Sequence, residues 1–358
     1  MSKLRSYSNR RLLPVETAEV VKFGLDVHKA QITVCRQVGG RLPQPAQMLG
    51  WERAIEWIGE HKAAGSDLYS CYEAGPCGYG LHRRLSQMGV TNYVVAPQKW
   101  DERHRRVKTD KRDASELCQR LDRYVRGNTD AFASVHVPSI EQERVRALCR
   151  QREAVSKERM RCELRGHGMM LAQGIDVPGS WWKPANWLQL SPALPLWLRK
   201  HLVWWHKQAV ALDAELISLT KEVEALAKGS LQPKGLGALS AAVIDAEVLD
   251  WERFSNRSQV GSYTGLCPSE ASSGGKRKQG SVTKCGNPRI RHYLLEATWR
   301  MLAWQPNYPP LLKVRAATGS RMRKRAAAAA ARHLAVDLWR LRTGRCTAEQ
   351  LGLILFEV

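Results

Sequence analysis

The 358-residue chain has no apolar run approaching the roughly 20 residues that span a bilayer, which argues against a membrane protein. Its first residues are Ser, Arg and Asn without an apolar stretch, so no signal peptide is expected. The nine cysteines, Cys35, Cys71, Cys77, Cys118, Cys149, Cys162, Cys267, Cys285 and Cys346, form no C-x-x-C pair. That weighs against a zinc ribbon and for reduced cytosolic thiols. Acid is the scarce charge: 34 Asp and Glu stand against 56 Lys and Arg, for a net charge of +22. The excess is spread along the chain and implies a polyanionic partner, most simply nucleic acid, with a membrane surface the weaker alternative. No helix-turn-helix pattern accompanies it. The length suffices for two or three domains with their own cores, so no disulfide or metal staple is required for folding.

Residues 1–18 read as a basic arm. Val21, Phe23, Leu25 and Val27 then alternate with Lys22, Gly24, Asp26 and His28, the pattern of a half-buried strand ending in an acid. Residues 31–38 read as its hairpin partner. Trp51, Ala54, Ile55 and Ile58 mark an amphipathic helix ended near Gly65. Leu68 to Tyr72 form another strand, closing on Glu73; a helix follows from about Gly78 to Gln87, and Tyr93 to Val95 make a third core strand. This succession predicts parallel pairing with helical crossovers. In such sheets, ligands sit at the carboxyl ends of the strands, where Asp26 and Glu73 lie.

The most informative stretch is basic: Val107-Lys108-Thr109-Asp110-Lys111-Arg112-Asp113-Ala114. If it opens a helix, the spacing of three puts Asp110 and Asp113 on one face, continued by Ala114, Leu117, Leu121 and Tyr124. The two acids then point towards the core, where something must offset their desolvation. Singly, an Asp at a strand end is a common turn residue, and an Asp-x-x-Asp at a helix start favours the helix dipole. Together the four acids make a metal site, because clustered carboxylates do not all stay ionised without cations. An oxygen-rich set favours Mg2+, with Mn2+ the alternative.

Further along, residues 139–168 read as a solvated amphipathic helix through Val145, Leu148, Val155 and Met160. Six of the 13 tryptophans, Trp181, Trp182, Trp187, Trp197, Trp204 and Trp205, fall in a proline-interrupted stretch, a pattern better suited to a packed helical hairpin or an interface than to base stacking. Leu212, Leu216, Leu219, Val223 and Leu226 form a heptad-like stripe that needs a partner helix. The turn Pro233-Lys234-Gly235-Leu236-Gly237 has the composition of a phosphate-holding helix-hairpin-helix turn. In Pro268-Ser269-Glu270-Ala271-Ser272-Ser273-Gly274-Gly275-Lys276-Arg277-Lys278, small residues beside a serine permit close backbone approach, and the cations suit a phosphate. Such a Ser-Gly loop is also a common linker. Arg289, Arg291, Leu294, Leu295 and Trp299 mark a basic amphipathic helix. Arg321 to Arg325 precede six alanines, which favour helix.

Gly24-Leu25-Asp26-Val27-His28-Lys29, Tyr72-Glu73-Ala74-Gly75, Lys108 to Ala114, Gly265-Leu266 to Pro268, Ser273-Gly274, Gly280, Lys284 and Gly286-Asn287 together resemble the DEDD transposases of the insertion-sequence-110 family. The resemblance covers nearly the whole chain, with the motifs in order. It implies an α/β RuvC-like (ribonuclease-H-type) domain at 19–138, a helical coiled-coil connector at 139–228 holding the Trp-rich insertion, and a mainly helical C-terminal transposase domain at 229–358. By resemblance, Asp26, Glu73, Asp110 and Asp113 hold Mg2+, and Ser273 attacks DNA to form a phosphoserine link, with Ser272 the neighbouring alternative. The implied partners are donor and target DNA, a structured noncoding bridge RNA pairing with both, and further copies of the chain, from dimer to tetramer, with composite active sites. A cytoplasmic, nucleoid-associated location in a bacterium follows. Arg105, Arg106, Lys108, Lys111, Arg112, Lys276, Arg277, Lys278, Lys284, Arg289 and Arg291 are the candidate phosphate contacts. Two other readings use the same residues: a junction endonuclease that uses metal-activated water, and a non-catalytic nucleic-acid scaffold.

Overall fold

The alternating stretch after the N-terminal arm forms strand β1 (Val20–Val27), which pairs antiparallel with β2 (Ile32–Val38), itself paired antiparallel with β3 (Gln47–Leu49). These contacts come from a computed structural model that describes residues 13–15, 19–97, 109–271 and 278–358. Helix α1 (Trp51–Ala63) leads to β4 (Asp67–Glu73), and α2 (Gly80–Gln87) to β5 (Thr91–Val95); β1, β4 and β5 run parallel. The sheet order is β3-β2-β1-β4-β5. The short β3 edge strand has no counterpart in the sequence pattern, being only three residues long. Helix α3 (Asp110–Val125) completes this first unit, which ends at Val137.

One face of β1 presents Val21, Phe23 and Leu25 to Trp57, Ile58 and Leu85 in a shared core. The other face was expected to be solvated, and it is not. Lys22 is 4% exposed, its ammonium 2.8 Å from Asp122 and 3.0 Å from the Gly39 carbonyl oxygen. Helix α3 covers this face, and the strand tolerates a lysine there because both partners lie within reach.

The second unit begins at Pro138. Ser139 and Gln142 form a capping box that opens α4 (Ile140–Leu171). After α5 (Pro184–Leu190), α6 (Leu196–Ala225) returns along α4. The pair is antiparallel: Arg152 Nε donates to Thr220 Oγ1 at 3.1 Å, Arg159 lies 3.6 Å from Asp213, and the Arg165 guanidinium sits 4.8 Å over Trp205. The buried or half-buried seam of α6 runs Leu198, Leu202, Trp205, Ala209, Leu212, Leu216, Leu219 and Val223, alternating steps of four and three. Leu226, expected on this stripe, is 47% exposed, because the helix ends at Ala225 and Ala227 turns inward instead. Met160 of α4 is likewise exposed. The heptad's partner is therefore supplied in the same chain.

The tryptophans divide. Trp181 and Trp182 are buried with Leu198 and Leu202 in a small core, whereas Trp197 and Trp204 are half exposed. Trp181 packs against Gly166 of α4, where a β-carbon would come within 1.9 Å of the indole, and its Nε1 donates to the Glu163 carbonyl at 2.9 Å.

The remainder is mainly helical: β6 (Leu231–Pro233), α7 (Ala238–Val248), α8 (Arg257–Thr264), β7 (Pro268–Glu270), β8 (Gln279–Val282), α9 (Pro288–Trp304), α10 (Pro309–Ala316), α11 (Ser320–Arg342), α12 (Ala348–Leu351) and β9 (Leu355–Glu357). Strands β6 and β9 pair antiparallel, and β7 pairs with β8. The alanines of α11 let it pack closely: Ala327, Ala330 and Ala331 are buried with Leu294 and Met301 of α9. The turn after β6 departs from a phosphate-holding turn. The Lys234 amide donates to Ile354 and the Leu236 amide to Pro233, so neither is open to an anion.

Candidate active site

Strand registers bring the first two acids together. Leu25 pairs with Tyr72, so Asp26 and Glu73 are the next residues of two parallel neighbours at their carboxyl ends. Both line one cavity of about 710 Å3 with Val27, His28, Trp51 and Cys77. The third acid arrives by backbone packing. A β-carbon on Gly24 would strike the Ala114 carbonyl oxygen and lie 2.8 Å from Cys118 Cβ, so α3 rests directly on the β1 backbone. Any side chain at 24 would push the helix away.

The first turn of α3 thereby carries Asp110 to Asp26. One ligand atom each from Asp26, His28 and Asp110 lies within 4.8 Å of the others. His28 Nε2 is 3.1 Å from Asp26 Oδ2 and 3.5 Å from Asp110 Oδ2. Glu73 shares the cavity but not this tight group, and Asp113, one turn further along α3, is close enough to act on Asp26 electrostatically. Burial, together with the like charges of Asp110 and Asp113, raises the Asp26 carboxyl above its ordinary value, and His28 only partly opposes this. The donor chemistry fits a divalent cation: two carboxylates and an imidazole converge, and the acids repel one another without a positive charge between them. Lys111 and Arg112 lie on the exposed side of the same turn.

His28 belongs to the quoted sequence motif but not to the predicted site. Its only sequence signal was its place two residues after Asp26, on the same side of an extended chain.

The described strands of the hairpin, β7 and β8, are joined by residues 272–277. Ser272, Ser273, Lys276 and Arg277 therefore lie outside the described residues, as do Arg105, Arg106 and Lys108. Lys278 and Lys284 are exposed on the hairpin's second arm and just beyond it. Arg289 and Arg291 are held by contacts within the second unit. Arg291 Nη1 donates to the carbonyls of Thr264 at 3.1 Å and Lys284 at 3.3 Å, tying the two ends of the hairpin, and Arg289 pairs with Glu153 of α4.

Beneath the hairpin, Asn287 caps α9, accepting the amides of Arg289 and Ile290, and its Nδ2 donates to Glu247 at 2.8 Å. The fully buried Glu247 carboxylate also receives Arg150 at 3.0 Å and Arg146 at 3.3 Å, and its carbonyl accepts the Tyr263 hydroxyl. Burial alone would raise this carboxyl; hydrogen bonds from Arg150 and Asn287, with the charges of Arg150 and Arg146, hold it below its ordinary value. Nothing in the local sequence marked Glu247, which sits in an apolar helix and finds its partners from distant segments.

Residues 231–311, which include this hairpin and its supports, match the sequence model of the transposase IS116/IS110/IS902 family. The chain is 30% identical to the protein y4qE of Sinorhizobium fredii (strain NBRC 101917 / NGR234), named as a transposase, over 80% of this chain and 72% of that one. It is 34% identical to y4rJ of the same strain, also named as a transposase, over 66% of each chain. It is 24% identical to the transposase for insertion sequence element IS1533 of Leptospira borgpetersenii, over 78% of this chain and 85% of the relative. By this similarity, joined to the ordered motifs, the chain belongs to the IS110/IS116 family of insertion-sequence transposases.

Proposed function

We propose that this transposase cuts and rejoins DNA by phosphoryl transfer through a serine, with divalent cations held by Asp26, Glu73, Asp110 and Asp113. The observation that carries the proposal is the meeting of Asp26 and Asp110, from a strand end and a helix start, in a cavity also lined by Glu73. Bound Mg2+ or Mn2+ would supply charge stabilisation at the phosphoryl oxygens and lower the effective pKa of an attacking hydroxyl. The sheet order β3-β2-β1-β4-β5, in which β2 alone runs against the other four strands, supports reading the first unit as RuvC-like.

In this reading, Ser273 supplies the nucleophile and Ser272 is the neighbour to test. The serine oxygen bonds to phosphorus as the strand's phosphorus–oxygen bond breaks, and the serine proton passes to solvent while the leaving oxygen takes one up. A hydroxyl from another strand then attacks the phosphoserine and regenerates the enzyme. One phosphodiester is exchanged for another, so no ATP is consumed. Lys111, Arg112, Lys278 and Lys284 contact phosphates, which fixes DNA without reading its sequence. Sequence choice falls to a noncoding bridge RNA pairing with donor and target, and the charge of +22 supports a chain that carries two nucleic acids. Several copies assemble so that acids and serine meet in composite sites.

The test incubates the chain with its element-encoded RNA and DNA carrying the element ends, and measures covalent protein–DNA adducts and joined products. Ser273→Ala should abolish the adduct while RNA binding survives, and Asp110→Asn should lower strand joining by at least about a hundredfold, the scale of losing one electrostatic stabiliser. Free cleaved ends without an adduct would identify a water-using nuclease, and undiminished joining by Asp110→Asn would identify a scaffold.

A further inference from the structure

We infer that His28 is a metal ligand, and that with Asp26 and Asp110 it forms a mixed nitrogen–oxygen site that takes Mn2+ or Co2+ in preference to Mg2+. The inference rests on the reading of the acid cluster as a metal site, and it adds a donor of different chemistry.

The geometry is that of ligands around one ion. Two donors about 2.1 Å from a metal and a right angle apart are about 3.0 Å from each other. His28 Nε2 lies 3.1 Å from Asp26 Oδ2, close to that edge, and 3.5 Å from Asp110 Oδ2, which suits a wider angle at the same ion. The residue is pinned by its backbone rather than its ring. Its amide donates to the Gln31 carbonyl at 2.9 Å, and its carbonyl accepts Trp51 Nε1 at 3.0 Å. Trp51 opens α1 and lines the same cavity, so the turn after β1 is fixed with the imidazole directed between the two carboxylates.

A histidine in this place has a simpler use, as a hydrogen-bond donor that quiets two neighbouring acids. Ionised carboxylates only accept, so in that use Nε2 would be the donor to both. A lysine would serve that purpose equally, and one is adjacent in sequence at Lys29. Imidazole differs from ammonium in that a neutral ring offers a cation a nitrogen lone pair, here directed at the point between the two carboxylates. A nitrogen donor shifts selectivity: Mg2+ favours oxygen and retains its waters, whereas affinity for an N/O set rises through Mn2+ to Co2+.

Electron spin-echo modulation of the Mn2+-loaded full chain tests this without measuring turnover. The wild type should show modulation from a directly bound imidazole nitrogen, and His28→Ala should lose it. Outer partners of metal ligands already contribute about 10–100-fold to affinity. Accordingly, Mn2+ binding by His28→Ala should weaken about tenfold or more, and the Mn2+ over Mg2+ preference should narrow. His28→Gln keeps a hydrogen-bond donor and removes the imidazole; it should behave as His28→Ala, with circular dichroism confirming the fold. If wild type binds Mn2+ without nitrogen modulation, or His28→Gln retains the metal preference, His28 is only a hydrogen-bond donor and the inference fails while the acid site stands. If Asp26→Asn and Asp110→Asn leave Mn2+ binding unchanged, both this inference and the proposed metal site fail.

Discussion

Gly24 decides where Asp110 goes. The backbone of α3 occupies the space a side chain would need, so Gly24→Ala forces the helix outward. Overpacking of this kind costs about 1–3 kcal/mol. Chemical denaturation should show that loss, and metal affinity should fall with it because Asp26 and Asp110 separate. The elements that carry the acids were legible for local reasons: strand alternation put Asp26 and Glu73 at the ends of β1 and β4, and the Asp-x-x-Asp spacing put Asp110 and Asp113 in the first turn of α3. Gly24 and His28 were not legible as parts of the site. A glycine in a strand reads as a weak strand former until the helix that lies on it is known, and a single histidine carries no pattern. Glu247 was hidden for the same reason, since its arginine and asparagine partners come from two other helices and only folding assembles them.

The antiparallel pair of α4 and α6 shows what periodicity can and cannot fix. The stripe was visible from Leu212 to Leu226, but its earlier part through Leu198, Leu202, Trp205 and Ala209 was not, and Leu226 falls beyond the helix, which stops at Ala225. The partner was not legible, since α4 shares a core with this seam through Cys162 and Met170 rather than a row of large branched residues. The two ends of the stripe can be told apart by substitution. Leu202→Ala removes a fully buried side chain and should cost about 2–5 kcal/mol. Leu226→Ala, at an exposed position, should stay within about 0.5 kcal/mol. Urea denaturation midpoints of the two variants check both values.

Across the second unit, Glu247 ties α4, α7, α8 and the start of α9 into one charged joint within an apolar core. Its folded carboxyl lies below the ordinary value of 4.5, so the stabilisation is fully present above that pH and is lost as pH falls through the lower folded value. The melting temperature of the wild type should therefore drop below about pH 4.5 more steeply than that of Glu247→Gln, while near neutrality the variant should be less stable by about 3 kcal/mol, the scale of breaking a buried ion pair. Thermal denaturation followed between pH 3 and 7 compares the two slopes. The joint also sits at the foot of the α4–α6 hairpin, and there it has a mechanical meaning. A helix of 30 residues is about 45 Å long, so 5° of play at this foot displaces the tryptophan-bearing tip by about 4 Å. The set of that foot, where Arg146 and Arg150 of α4 meet Glu247 and Val223 and Ala227 pack into the same core, is thus magnified at the far end of the rod.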